Sequence, residues 1–298
     1  MSDPLFVLAI DGLDIEKARQ WTPELLLSTH SELSLTEFDT ITTFHIWPTM
    51  YCGESAMGRI HANKTYPQRL QQKLANLFGM LIDPVISDTK AGAAKRFIAP
   101  SANIAPRKGG RELFEDDCLF SDLKARIVGV PGWNFRDCLD IRFNDESLWE
   151  TILRDDGVEQ CYEILEEELE AKVSVTEEAL DYPYDLVWTH IHALDSVQHL
   201  FDRDIQREWY ERVAEAVQSL INHSNVRGVV ILSDHGLMGG DHRPPGLVST
   251  TEELGERLPS RPAEVREWLS RCIEGEAEMN RERMEHLSDL GYLDVPDV

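Results

Sequence analysis

The stretch Leu5–Ile10 (LFVLAI) is a continuous apolar run that ends at Asp11-Gly12. A short run of this kind is typical of a parallel strand that is buried on both faces, and the Asp-Gly pair after it marks a turn. Two later runs repeat the pattern, namely residues 185–192 (DLVWTHIH) and Gly228–Ser233 (GVVILS). These three runs predict the strands at the centre of the fold.

Helical patterns separate the predicted strands along most of the chain. Helices are expected near residues 15–27, 147–179 and 196–221 and at the C-terminal end, and further strands are expected at 38–44 and 126–130. Alternation of strands and helices favours an α/β fold with a mostly parallel central sheet sandwiched by helices.

Residues 61–118 do not follow this alternation, because glycines and prolines interrupt them. We expect an insertion or small cap at that point, within a single domain that spans residues 1–298. Since the segment carries no readable motif, selectivity for a particular substrate would lie where the sequence is least informative.

The net charge of the chain limits the kinds of molecule that it is expected to bind. The chain has 54 acidic residues against 29 basic ones and a formal net charge of −25. Such a surface repels nucleic acid and anionic membranes, so neither is an expected partner. The spread of acids along the chain, with only eight lysines, favours a halophilic protein, because molar salt screens self-repulsion. An ordinary acidic protein is the alternative.

Three features of the sequence that bear on its cellular compartment favour the cytoplasm. The chain has no apolar run of roughly 18 residues that could span a membrane, and the N-terminal MSDP lacks the pattern of a secretory signal. Five cysteines without a CxxC pair argue against a disulfide framework and for a reducing compartment. We therefore expect a cytoplasmic protein, with no expectation about its oligomeric state.

Carboxylates and imidazoles follow the three central strands. The candidate metal ligands are Asp11, Asp195, His199, Asp234, His235 and His242. Ligands of open α/β sheets bind at the carboxyl ends of the strands, so these groups should share one crevice. Crowded carboxylates repel one another unless cations bind between them, and carboxylate with imidazole suits zinc first, with manganese or iron as alternatives.

Each candidate also has an ordinary explanation. Asp11 could cap a turn, and His199 could be a packed core histidine. Asp195 and His199, however, would share one face of a helical turn directly after a strand. Position at the strand ends therefore favours a metal site. His190 and His192 alternate along a strand, which favours packing in the core or support beside the ligands.

The segment 42–53 (TTFHIWPTMYCG) offers a reactive hydroxyl. If a strand ends near Phe44 and Pro48 is the first helical residue, Thr49 lies in the first turn of the helix. Backbone N–H groups and the helix dipole would stabilise an oxyanion there, and a bound metal would activate the hydroxyl for attack on phosphorus. The alternative is that Thr49 only caps the helix.

Taken in order along the chain, these motifs resemble the alkaline phosphatase superfamily, most closely its type I phosphodiesterase/nucleotide pyrophosphatase branch. The motifs are Asp11-Gly12, WPTM at 47–50 with Gly53, Asp195-x-x-x-His199, Asp234-His235-Gly236, His242 and LSDLGYL at 287–293. The resemblance implies an alkaline phosphatase-like core with two divalent metal ions, zinc or manganese. One ion would be held by Asp11, Thr49, Asp234 and His235, and the other by Asp195, His199 and His242.

The resemblance also implies a reaction. It is hydrolysis of a small-molecule phosphodiester, phosphonate or nucleotide pyrophosphate, through a phospho-threonine intermediate on Thr49. A phosphomonoesterase and a non-catalytic metal-binding protein of the same fold are the alternatives. His286 is the alternative to His242 as last ligand, and Asn63 is a candidate for holding phosphoryl oxygens. The sulfatase signature is absent around Cys52.

Overall fold

The computed structural model describes residues 3–53, 118–121, 123–134, 157–238, 241–251, 254 and 257–289. The strands in these ranges are β1 (Leu5–Ile10), β2 (Thr29–Leu33), β3 (Ala125–Val128), β4 (Leu186–Ile191), β5 (Gly228–Ser233), β6 (Gly236–Met238), β7 (Asp241–Arg243) and β8 (Gly246–Thr250). The helices are α1 (Ile15–Trp21), a 3-10 helix (Pro23–Leu25), α2 (Thr43–Cys52), α3 (Gly157–Leu180), α4 (Ala193–Leu200), α5 (Arg203–Ile221) and α6 (Pro262–Asp289).

Six of these strands form one sheet in the order β2-β8-β5-β1-β4-β3. β1 lies between β4 and β5 and is parallel to both, with Leu5 opposite Leu186 and Gly228. β3 continues the parallel half, whereas β8 and β2 are antiparallel at the other edge. The expected α/β class with a mostly parallel central sheet is therefore confirmed.

β1 is apolar at every position because both faces of the sheet are covered. Leu5, Val7 and Ala9 pack on one face together with side chains of α2 and α6. Phe6, Leu8 and Ile10 pack on the other face against α1, α3, α4 and α5. Full burial of such a side chain contributes about 1.5–3 kcal/mol, so the two layers hold the strand in a single register.

The connection from β4 to α4 is unusually direct. β4 ends at Ile191, His192 is the N-cap residue, and α4 begins at Ala193. Asp195 therefore lies in the first turn of α4 and His199 in its last. The helix expected at 196–221 is in fact two helices, because Asp202 caps a new helix with its side chain and so separates α4 from α5.

The strand expected at 38–44 is wrong. The extended segment lies earlier, at Thr29–Leu33, and α2 already begins at Thr43. β2 (THSEL) is a largely exposed edge strand paired antiparallel with β8, so its sequence shows no apolar run. Its strand character comes from pairing, which is a tertiary property.

Other boundaries differ in smaller ways. The helix expected over 15–27 stops at Trp21, and Pro23 begins a separate 3-10 helix. The described part of the 147–179 helix is α3, which ends at Leu180. The expected insertion at 61–118 lies outside the described residues except for Cys118, as does Asn63. No helix in the described ranges has the length and apolar character that crossing a bilayer requires.

Candidate metal centre

The carboxyl ends of β1, β4 and β5 meet at the middle of the sheet, and each is followed by side chains of the candidate centre. Asp11 follows β1, and Asp234 and His235 follow β5. Asp195 and His199 lie on α4 directly after β4, as described above. Because β1 is the neighbour of both other strands, these side chains converge on one edge of the sheet.

Two groups of side chains at this edge share no residue, and each could hold a metal ion. We call the group Asp11, Asp234 and His235 the sheet-end position and the group Asp195, His199 and His242 the helix–hairpin position. Within each group, one donor atom per residue lies within 4.8 Å of the others. The structure thus brings together six of the seven predicted site residues, all but Thr49.

The sheet-end position is completely buried. His235 Nε2 lies 3.2 Å from Asp234 Oδ2 and 3.5 Å from Asp11 Oδ1. His235 Nδ1 is 3.2 Å from the carbonyl oxygen of Gly236, which can only accept, so Nδ1 carries the hydrogen. That leaves the lone pair of Nε2 directed toward the two carboxylates, the orientation of a metal ligand.

The helix–hairpin position is more open. His199 Nε2 lies 3.2 Å from Asp195 Oδ1, and His242 Nε2 lies 3.5 Å from the same oxygen. The two Nε2 atoms are 2.9 Å apart. His242 Nδ1 donates to the carbonyl oxygen of Ile41 at 3.1 Å, which again leaves Nε2 as the ligand atom. The short β6–β7 hairpin that carries His242 has no readable sequence signal, although His242 itself was a predicted ligand.

Burial dominates the electrostatics of the sheet-end position. Desolvation, followed by the nearby carboxylates of Asp234 and Asp195, raises the pKa of Asp11 well above its usual value. Burial raises the pKa of Asp234 to about 6 and lowers the pKa of His235 to about 3. In the absence of a cation, the charged form of each of these three groups is therefore disfavoured.

The helix–hairpin position behaves differently because an acid and two imidazoles share it. Burial alone would lower the pKa of His242, but hydrogen bonding and charge from Asp195 raise it to about 9. Burial opposes ionisation of Asp195 as well, yet the charges of His199 and His242 hold its pKa well below the usual value. Burial lowers the pKa of His199.

The residues present fit a metal ion. Asp195 Oδ1 and Asp234 Oδ2 are buried, and each faces an imidazole Nε2 at 3.2 Å. Buried carboxylate oxygens are costly unless they are paired or coordinate a metal. Carboxylate oxygens with imidazole Nε2 atoms form a donor set suited to zinc or manganese.

The structure places Thr43, rather than Thr49, beside these ligands. Thr43 is the first residue of α2, and its Oγ1 lies 3.2 Å from Asp11 Oδ1 and 3.5 Å from His235 Nε2. Thr49 lies in the C-terminal half of the helix, where its Oγ1 donates to the carbonyl oxygen of His45 at 2.7 Å.

The expectation that Thr49 lies in the first turn of a helix is therefore wrong. The expected helix begins at Pro48, but Pro48 lies inside α2, which begins five residues earlier. The signal that could have located the start is the pair Thr42-Thr43, because threonine is favoured at an N-cap and Thr42 has the extended backbone of one.

Two further histidines contact the centre. His192 Nδ1 lies 3.0 Å from Asp11 Oδ2, and His190 Nε2 lies 3.4 Å from the same oxygen. Both were expected to pack in the core or to support the ligands, and both contact a predicted ligand. The side chain of His286, the alternative to His242, lies outside the described part of the structure.

Comparison with known proteins adds one distant likeness. No family model and no curated protein matches the chain. Among solved structures, the PH0037 protein from Pyrococcus horikoshii is similar, with 12% sequence identity and a TM-score of 0.43, over 92% of this chain and 97% of that chain.

Proposed function

We propose that the chain is a metal-dependent phosphoester hydrolase with an alkaline phosphatase-like core, of the phosphodiesterase/nucleotide pyrophosphatase type. One observation carries the proposal. Two groups of buried carboxylates and imidazoles lie side by side, and the hydroxyl of Thr43 touches one of them at the start of a helix.

Two divalent cations, zinc first and manganese as the alternative, would occupy the centre. Asp11, Asp234 and His235 would hold one, and Asp195, His199 and His242 would hold the other. Such ions polarise phosphoryl oxygens and lower the pKa of a neighbouring hydroxyl. Their charge would balance the carboxylates of the cluster together with a threonine alkoxide, so that an anionic ester could approach a centre near neutrality.

Thr43 is the proposed nucleophile, in the role that the sequence assigned to Thr49. Its Oγ1 donates a hydrogen bond to Asp11 Oδ1, which holds the oxygen at the sheet-end position. The first N–H groups of α2 have no partner within the helix, and they and the helix dipole stabilise negative charge on that oxygen and on a phosphoryl group bonded to it.

The reaction would proceed in two displacements. Thr43 Oγ1 forms a bond to phosphorus while the bond to the leaving alcohol breaks, and the hydroxyl proton passes to solvent or to the leaving group. Water then attacks phosphorus of the phospho-threonine and releases the free phosphate or phosphate monoester together with the Thr43 hydroxyl. The same residues act in both steps because the phosphorus atom stays between the two positions.

Metal analysis and pre-steady-state kinetics test the proposal. The purified chain should carry two equivalents of metal, and mixing it with a p-nitrophenyl phosphodiester should give a burst of p-nitrophenol close to one equivalent per chain. The assays are run at low salt and in molar KCl, since the acidic composition favours a halophilic protein. p-Nitrophenyl phosphate tests the monoesterase alternative. Full metal content with no turnover of either ester would support a non-catalytic metal-binding protein instead.

A further inference from the structure

The carboxylate of Asp11 divides its two oxygens between different partners. Oδ1 faces Thr43 Oγ1 at 3.2 Å and His235 Nε2 at 3.5 Å, which is the side of the sheet-end position. Oδ2 faces two imidazoles, with His192 Nδ1 at 3.0 Å and His190 Nε2 at 3.4 Å. One oxygen is thus turned toward the candidate metal and the nucleophile, and the other toward histidines that were not predicted as ligands.

His192 is well placed to hold that second oxygen. It is the N-cap residue of α4, in the direct connection from β4, three residues before Asp195. Its ring is about one-fifth exposed, whereas Asp11 is fully buried. With a cation in the sheet-end position Asp11 would be ionised and could only accept a hydrogen bond, so Nδ1 would carry the hydrogen, and the neutral ring is sufficient for this. The distance of 3.0 Å is that of an ordinary N–H···O bond.

His190 is a partner of another kind. It is completely buried in β4, and its ring meets the edge of Trp47 at a centroid distance of 5.2 Å. Its Nε2 is also farther from Asp11 Oδ2 than the Nδ1 of His192 is. His190 therefore combines packing with support, whereas His192 reaches the carboxylate from the partly open side of the centre.

We propose that His192 is a positioning residue, which rests on the proposed function above. Its Nδ1–H holds Asp11 Oδ2, so that Asp11 presents Oδ1 alone to the metal of the sheet-end position and to Thr43. Without this bond the carboxylate would turn more freely about its Cβ–Cγ bond, and a buried oxygen would lose the nearer of its two imidazole partners. Loss of such a supporting hydrogen bond typically weakens metal binding about tenfold to hundredfold.

If His192 were instead a metal ligand, its substitutions would affect zinc binding differently. Asp11, His192 and Asp195 also have donor atoms within 4.8 Å of one another, so His192 could instead ligate a cation. A ligand role through Nδ1 would require that atom to leave Asp11 Oδ2, whereas a ligand role through Nε2 would leave the bond to Asp11 intact. The two roles separate in His192→Asn, because the asparagine amide can place an N–H close to where Nδ1 stands but supplies no imidazole nitrogen.

The test measures zinc affinity at each position separately, by competition with a chromophoric chelator and with zinc alone as the probe. His199→Ala isolates the sheet-end position, and Asp234→Ala isolates the helix–hairpin position. In the His199→Ala background, adding His192→Ala should weaken zinc binding by about tenfold to hundredfold, and His192→Asn should restore most of it. In the Asp234→Ala background, His192→Ala should change the affinity by less than about threefold.

Two further variants keep the test decisive. His192→Gln retains the size and polarity of the side chain but moves its N–H by one bond, so it should behave like His192→Ala even if the alanine variant folds poorly. His223→Ala is the matched control, since that histidine lies outside the centre, with Nε2 at 3.6 Å from Asp181 Oδ1. It should leave the zinc affinity unchanged. Circular dichroism verifies the fold of each variant.

Several outcomes would overturn the assignment. Unchanged affinity at the sheet-end position in His192→Ala, or an equal loss at both positions, would contradict a positioning role directed at Asp11. One fewer zinc bound at saturation in His192→Ala and His192→Asn alike would show a ligand instead. Failure of the unsubstituted chain to bind zinc or manganese would contradict the proposed function first, and this inference with it.

Discussion

The two candidate metal positions are built from different parts of the chain. In the sheet-end position, Asp11, Asp234 and His235 directly follow two adjacent strands and are fully buried. In the helix–hairpin position, Asp195 and His199 come from a helix of two turns and His242 from a three-residue strand, with the His242 ring about one-quarter exposed. One position is held at the ends of two buried central strands, and the other by shorter elements.

This difference has a chemical consequence. The hydroxyl of Thr43 lies on the sheet-end side, against Asp11 and His235, so the proposed nucleophile belongs to the fully buried position. The open position is the one that a leaving group or a water molecule could reach. A catalytic centre built in this way would fix the nucleophile firmly and leave room for exchange on the other side.

The largest expected effect concerns the two ends of α2. Thr43→Ala should lower turnover by about a thousandfold or more and abolish the burst, because the attacking oxygen is lost, while the fold and most of the metal remain. Thr49→Ala removes a hydroxyl that donates to the carbonyl oxygen of His45, so turnover should stay within about fivefold of wild type. Burst kinetics and metal analysis on both variants make the measurement.

Thr43→Ser provides the control, since it keeps an oxygen at the same place and should retain part of the activity. The opposite pattern, with Thr49→Ala inactive and Thr43→Ala active, would return the nucleophile to the residue predicted from the sequence. Loss of activity in both variants together with loss of metal would indicate damage to α2 as a whole.

The parts of the fold that the sequence could predict are those whose burial is local. The run Leu5–Ile10 and its two partners are apolar because helices cover both faces of the sheet, so they could be recognised as strands without knowledge of the fold. β2 and the hairpin of β6 and β7 could not be recognised, because their strand character depends on pairing with segments distant in the sequence or on a very short turn.

The residues of the candidate site also differ in whether the sequence could predict them. Asp11, Asp234 and the pair on α4 could be found because each directly follows a recognisable strand. Thr43 was not predicted, because Pro48 indicates a later start of α2 than the pair Thr42-Thr43 does. The contact of His192 with Asp11 could not be predicted from the sequence, because it depends on how two neighbouring strands are placed side by side.

Metal removal should distinguish the two positions. We expect dialysis against a weak chelator to remove one equivalent from the helix–hairpin position well before the other, because His242 is partly exposed and lies on a short hairpin. His242→Ala should weaken metal binding at the helix–hairpin position alone, by about a hundredfold in affinity. Asp234→Ala should instead weaken binding of the slowly exchanging equivalent. Time-resolved metal analysis follows both. Release of the two equivalents at one rate would remove the distinction between the positions.

Gly12 lies beside residues of both candidate metal positions, and a methyl group added there should disturb them. Its φ of +69° disfavours any other residue, and an added Cβ would lie 2.9 Å from Leu237 Cδ1 and 3.0 Å from Asp195 Cα. Gly12→Ala should therefore lower the free energy of unfolding by about 2–4 kcal/mol and weaken the helix–hairpin position through Asp195.

Gly275→Ala is the matched control for that variant, since nothing lies within 4 Å of the added methyl group. Gly275 is in α6, where alanine should stabilise the helix by about 0.5–1 kcal/mol. Denaturant unfolding compares the two. Equal stability changes in both variants would mean that the close approach at Gly12 has no energetic weight.

The smallest expected effect is a difference of about one proton between wild type and His242→Gln when metal binds. Asp195 raises the pKa of His242 to about 9, so at pH 7.5 the metal-free protein carries a proton on this imidazole that metal must displace. Calorimetric titration with zinc in two buffers of different ionisation enthalpy measures the release. The difference should disappear as the pH rises through 9, because the ring is then already neutral.

A raised pKa also means that the proton stabilises the metal-free fold fully below about pH 6.5, the usual pKa of histidine, and that this contribution is lost as the pH rises through 9. The melting temperature of metal-free wild type should accordingly exceed that of His242→Gln by more at pH 6 than at pH 10. Equal proton release by the two proteins at pH 7.5 would contradict the proposed pairing of His242 with Asp195.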